Sequence, residues 1–123
     1  MSVAKKKVLI CGATGFIGRN ILEKLVQNSS YQVTATYHRK KPFSIRHRGN
    51  LKWIKADLTN FRDVRALVPG AEIVIQAAAT TSGAKEIVTR PYYHVTDNAV
   101  MNSLIFRACH EFAVNRGIQF RVA

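Results

Sequence analysis

The stretch Lys7-Val-Leu-Ile-Cys-Gly-Ala-Thr-Gly-Phe-Ile-Gly-Arg-Asn-Ile-Leu-Glu-Lys-Leu25 decides the fold. Val8 to Cys11 is an apolar run with the character of a parallel strand buried on both faces. Three glycines follow, at Gly12, Gly15 and Gly18. Phe16, Ile17, Ile21, Leu22, Leu25 and Val26 then recur as a helical apolar stripe. Strand, glycine turn and helix in this order form the arrangement that binds a dinucleotide pyrophosphate. The glycines allow a tight turn, close backbone approach to the phosphates and close packing of helix on strand. The N–H groups and positive dipole end of the new helix face the anion. The spacing is GxxGxxG, and glycines alone also serve ordinary turns. The strand before them and the amphipathic helix after them point to a nucleotide.

The remaining chain continues an alternation of strand and helix. Asn28-Ser-Ser30 is a turn, and Tyr31-Gln-Val-Thr-Ala-Thr-Tyr37 is a second strand rich in β-branched and aromatic residues. The residue just past this strand meets the adenosine ribose in a dinucleotide fold. An acid there favours NAD, and an arginine accommodates the 2′-phosphate of NADP. The sequence gives His38-Arg39-Lys40-Lys41 with no acid. Arg39 is the best phosphate clamp, because its guanidinium fork matches phosphate geometry, and Lys40 is second. The alternative is a solvated basic loop. Tyr37 and Lys41 have Tyr-x-x-x-Lys spacing, but i,i+4 residues share a face only on a helix, and Pro42 discourages one.

Pro42 to Asn50 is a polar, basic loop, and Leu51 to Ala56 a short third strand. Thr59 or Asn60 caps a short helix from Phe61 to Val68 that stops at Pro69-Gly70. Ala71 to Ala79 is a fourth strand with an alanine-rich exit, followed by the hydroxyls of Thr80, Thr81 and Ser82 and by Gly83. From Tyr92 to Asn115, Val95, Ala99, Val100, Leu104, Ile105, Ala108, Cys109 and Phe112 recur near helical spacing, with Asp97, Asn98 and Asn102 as polar islands. Ile118 to Val122 suits a fifth strand.

Composition sets bounds on function. The 123 residues make one domain at most, and 47% hydrophobic content suits a globular core. No apolar run is long enough to span a membrane, and no signal-peptide core follows the basic N-terminus. Cys11 and Cys109 sit in apolar surroundings, as expected of reduced, buried thiols in a cytoplasmic protein. A net charge of +12 allows an anionic partner such as a phosphorylated cofactor, a nucleotide sugar or nucleic acid. Nucleic acid has no support beyond charge, since no helix-turn-helix, zinc spacing or RNA-binding aromatic motif is present.

Gly12-Ala-Thr-Gly-Phe-Ile-Gly18 resembles the opening motif of the extended short-chain dehydrogenase/reductase family. These are NAD(P)-dependent epimerases, dehydratases and reductases that act mostly on nucleotide sugars. The resemblance implies an α/β fold: a Rossmann-type doubly wound parallel sheet in the order 3-2-1-4-5, truncated, over residues 1–123. It implies NADP binding by Gly12, Thr14, Gly15, Phe16, Ile17 and Gly18, with Arg39 and Lys40 at the 2′-phosphate. It implies that Asp57 accepts a hydrogen bond from the adenine amino group, with Leu58 against the ring. A plain turn or cap role for Asp57 stays open. Ala77, Ala78 and Ala79 would pass beneath the nicotinamide ribose and pyrophosphate, or pack as small residues on the first helix. Asn98 would help organise the active site. Thr81 to Gly83, Arg90-Pro91 and Asp97 to Asn102 are loosely similar to the GDP-fucose synthase branch.

In that family a Ser or Thr after the fifth strand and a Tyr-x-x-x-Lys pair on the next helix carry catalysis. Neither position occurs before Ala123, so the resemblance implies the first half of a member, inactive alone. Val114 to Ala123 fit the family pattern poorly, as in a truncated or frameshifted product. A non-catalytic NADP-sensing or regulatory module is the alternative. An uncovered apolar sheet edge predicts self-association or a partner on that edge.

Overall fold

A computed structural model of the chain describes residues 5–78, 91–116 and 119–122. Eight elements follow one another: β1 Lys6–Cys11, α1 Phe16–Leu25, β2 Tyr31–Tyr37, β3 Leu51–Lys55, α2 Phe61–Leu67, β4 Ile73–Gln76, α3 Pro91–Arg116 and β5 Gln119–Val122. The five strands form one sheet in the order β3-β2-β1-β4-β5, and all four pairings are parallel. This is the doubly wound order that the glycine motif predicts. Among the described residues no helix is long and apolar enough to cross a membrane.

β1 is apolar throughout its second half because it lies in the middle of the sheet. Leu9 and Cys11 face one layer, and Ile10 faces the other. β2 is two-faced. Val33 and Ala35 are buried beneath α1, whereas Gln32 and Thr34 on the opposite face are only half-buried. A strand covered by a helix on one side alone alternates in this way.

α1 buries Gly18, Leu22 and Val26. Full burial of Leu22 and Val26 together contributes about 3–6 kcal/mol. Phe16 and Ile17 depart from the expected apolar stripe: they are 85% and 55% exposed. They occupy the first turn, which overhangs the strand ends and has no sheet beneath it.

The loop of residues 42–50 is basic but not merely polar. Phe43 and Ile45 pack on the α1-side core. The Phe43 ring meets Trp53 edge-on, with ring centres 5.4 Å apart, and the Arg19 guanidinium lies 4.3 Å from the centre of the Phe43 ring. Asn50 is fully buried, and its Nδ2 donates to the carbonyls of Val26, Asn28 and Tyr31. Those carbonyls close the α1–β2 turn, so one side chain anchors the loop to it.

α2 and α3 cover the opposite face. Asn60 caps α2 by accepting from the Arg62 N–H, and Gly70 leaves it at φ 89°. α3 buries Met101, Ile105, Ala108 and Cys109. Its inward face is rotated from the expected one, since Ala99 and Val100 are exposed and Met101 takes their place. Cys11 and Cys109 are free buried thiols. Burial, reinforced by Cys109, pushes the Cys11 thiol up to about 12, and burial pushes Cys109 up to about 11.

Candidate dinucleotide site

Parallel strands bring their C-terminal ends to one edge of the sheet. Between β1 and β4 the chain's connections diverge, through α1 to β2 on one side and through α2 to β4 on the other. Ligands of open α/β sheets bind in the crevice at this switch point.

The glycine turn lies there, and its three glycines have different reasons. Gly12 has φ 75°, a left-handed conformation. A Cβ on it would also lie 2.6 Å from the Ala78 nitrogen. Gly18 lies against the turn itself, where a Cβ would overlap the Gly12 carbonyl oxygen and come within 2.9 Å of its carbon. Gly15 is unlike both. Its backbone is extended at φ −78° and ψ 170°, which any residue adopts. The nearest atom to a Cβ there is the Gly12 oxygen, at an ordinary 3.6 Å. Nothing among the described residues demands glycine at 15, and the space it leaves opens at the start of α1. That start has no side-chain cap and no acidic residue in its first turn. Helix geometry gives its first N–H groups no acceptor within the helix, which suits an anion. The residues present fit a dinucleotide pyrophosphate on these grounds.

Thr36 holds the turn from β2, although the sequence did not single it out. Its Oγ1 accepts from the Gly12 N–H at 3.0 Å, and its carbonyl accepts from the Ala13 N–H at 3.0 Å. The sequence offered only a threonine near the end of the second strand, and its burial appears in the structure.

Tyr37 ends β2, as expected, and Lys41 lies in the loop beyond, so the two do not share a helix. Arg39 and Lys40 are exposed and form no ion pair with the described residues. Asp57 leaves β3 nearby. Its Oδ1 accepts from the Thr59 hydroxyl at 2.6 Å and from the Thr59 N–H at 3.0 Å. The Thr59 side-chain and backbone bonds, then the charges of His38 and Arg39, hold its carboxyl below the usual 3.8. Asp57 is thus a turn residue, yet its Oδ2 takes none of the hydrogen bonds found among the described residues. Leu58 is only 6% exposed and packs in the core with Val64, which leaves little of its side chain for a ring.

A carboxyl with a depressed folded pKa contributes stability above its unfolded value, and loses it as pH falls through the folded one. Replacing Asp57 with asparagine is therefore expected to flatten the acid limb of the urea-unfolding midpoint below about pH 4. An unchanged limb would show that the Thr59 bonds contribute nothing.

On the other side of β1, the Ala77 N–H donates to the Cys11 carbonyl at 3.0 Å, and Ala78 abuts Gly12. The small residues therefore do pack against the turn. Gln76, buried at the end of β4, joins Ala78 to Asn102 of α3. Asn98 is half-buried one turn earlier on that helix. Ala79, Thr80 to Gly83 and Arg90 lie outside the described residues. No group of three or more His, Cys, Asp or Glu able to hold a metal exists among the described residues.

Comparison with known proteins agrees with this fold. Sterol-4-alpha-carboxylate 3-dehydrogenase, decarboxylating, of Dictyostelium discoideum is 26% identical over 106 residues, which are 86% of this chain and 31% of that protein. Among solved structures, a UDP-glucose 4-epimerase matches with a TM-score of 0.75 at 21% identity, over 95% of this chain and 35% of the other. The Bordetella bronchiseptica enzyme WbmH, in complex with NAD+, matches with a TM-score of 0.71 at 22% identity, over 89% and 37%. The chain thus spans about a third of the length of these relatives. The description "NAD dependent epimerase/dehydratase family" covers residues 8–121, from β1 through β5. With the glycine turn at the switch point of a 3-2-1-4-5 sheet, the chain belongs to this NAD(P)-dependent family.

Proposed function

We propose that the chain is the NADP-binding portion of a nucleotide-sugar epimerase, dehydratase or reductase of the extended short-chain dehydrogenase type, and that it does not turn over substrate alone. The single observation that carries the cofactor reading is Gly15, a glycine required by neither backbone angle nor neighbouring atoms at the uncapped start of α1. The pyrophosphate rests on the turn from Gly12 through Thr14, Gly15, Phe16 and Ile17 to Gly18. Arg39, with Lys40, takes the ribose 2′-phosphate, because both are exposed cations beyond β2 without an ion-pair partner among the described residues. Asp57 offers its second carboxylate oxygen to adenine, and Ala77 and Ala78 form the floor. Ala79 and Asn98 complete the assignment. When bound, the nicotinamide supplies hydride transfer. The likeness between Thr81 and Asn102 favours a substrate of the GDP-fucose synthase kind for the whole protein.

Calorimetric titration of the folded chain with NADPH and then NADH tests this. NADPH is expected to bind at least about tenfold tighter, the worth of a charge-assisted phosphate contact. Adding nucleotide sugars to the NADPH complex is expected to cause no oxidation. Equal affinities overturn the NADP assignment, failure to bind either overturns the cofactor reading, and sugar-dependent oxidation overturns inactivity alone.

A further inference from the structure

Gln76 is a glutamine 2% exposed, directly after Ile73-Val-Ile75. A buried amide is costly unless both its ends are bonded. Its oxygen accepts from the Ala78 backbone N–H at 2.9 Å. That donor cannot reverse its role, so the atom facing it is an acceptor, and the amide nitrogen points the other way. Gln76 Nε2 donates to Asn102 Oδ1 at 3.0 Å. One backbone N–H thus orients two side-chain amides in series.

Each end of the series touches something that matters to the site. Ala78 occupies the space left by the missing Cβ of Gly12. Asn102 belongs to α3, which is held to the sheet by Met101 and Ile105 on either side of it. Thr36 grips Gly12 from β2, so the turn is clamped from both neighbouring strands.

We infer that Gln76 and Asn102 are positioning residues for the cofactor turn, carrying the placement of α3 through Ala78 to Gly12. This rests on the dinucleotide reading above. Neither side chain is assigned a contact with the cofactor. A purely structural pair would alter stability and leave cofactor affinity alone.

The test measures NADPH dissociation constants by calorimetry, each well below the variant's unfolding midpoint, together with that midpoint. Gln76→Leu keeps the volume and removes both bonds. Asn102→Ala removes the acceptor, and Asn102→Asp keeps it. Gln76→Leu and Asn102→Ala are each expected to raise the dissociation constant about tenfold, with Asn102→Asp within about threefold of the parent. The double variant is expected to be no weaker than the worse single one, because both break the same link. Unchanged affinity in variants with lowered midpoints would overturn the inference, as would Asn102→Asp binding as weakly as Asn102→Ala. If Gln76→Leu does not fold, the two Asn102 variants decide. A parent chain that binds neither NADPH nor NADH overturns the dinucleotide reading and this inference with it. A parent that binds, with variants that bind equally, overturns this inference alone.

Discussion

Gly15→Ala is expected to stay folded and bind NADPH about 100-fold more weakly, whereas Gly18→Ala is expected to lose about 3 kcal/mol of stability. At position 15 the backbone is extended, and a methyl group meets only the Gly12 oxygen at ordinary contact distance. The stability change is therefore expected to stay within about 1 kcal/mol, the range of substitutions at a helix N-cap. On the proposed reading that methyl group points into the space the pyrophosphate takes. Displacing it from the helix N–H groups is expected to weaken NADPH about 100-fold, or about 3 kcal/mol of charge-assisted hydrogen bonding. At position 18 the methyl group collides with the Gly12 carbonyl, which is main chain and cannot rotate away. Moving α1 off β1 to relieve it uncovers Leu22 and Val26, and a loss of about 3 kcal/mol is expected. Urea unfolding and calorimetry on the two variants check both halves. A Gly15→Ala chain that binds as the parent does would mean that no ligand approaches that turn.

Arg39→Ala is the second large effect. A guanidinium facing a phosphate gives bonds worth about 1.5–3 kcal/mol, so NADPH affinity is expected to fall about 10- to 100-fold. NADH has no 2′-phosphate and is expected to change by less than about twofold. The loss would also shrink as salt is added, because Arg39 is exposed and screened. Lys40→Ala is expected to do less, because a lysine offers a point charge and no fork. Parallel titrations of both variants with both cofactors separate a clamp from a solvated loop. Equal losses for NADPH and NADH would place Arg39 at the shared part of the nucleotide instead.

The sheet was legible because a few residues fix it. Val8 to Cys11 is apolar at every position, as suits a strand covered on both faces, and the turn after it needs Gly12 and Gly18. Strand order then came with the resemblance carried by Gly12 to Gly18, and the sheet has that order. The parts that were not legible depend on what lies beyond each element's own period. Phe16 and Ile17 fit the stripe of α1 but overhang the sheet. The loop of residues 42–50 looked solvated because Arg46, His47 and Arg48 sit among its anchors, Phe43, Ile45 and the buried Asn50. In α3 the apolar residues are too evenly spread to fix one face, so Asn102 looked like an island and is a tie. At the site, backbone demands left marks in the sequence. Gln76 and Thr36 left fainter ones, because a side-chain bond to a distant N–H has no local pattern.

The aromatic clasp on β3 has an optical consequence. Trp53 is the chain's single tryptophan, and it sits between Phe43 of the loop and Tyr37, with ring centres 5.4 Å and 6.2 Å away. Tyr37 stands two residues before Arg39, and Phe43 carries Arg19 on its face. Any shift in how the β2 exit or the loop sits alters the polarity and quenching around one indole. The protein therefore contains its own fluorophore beside the exit of β2, where intrinsic emission follows loop seating without a label.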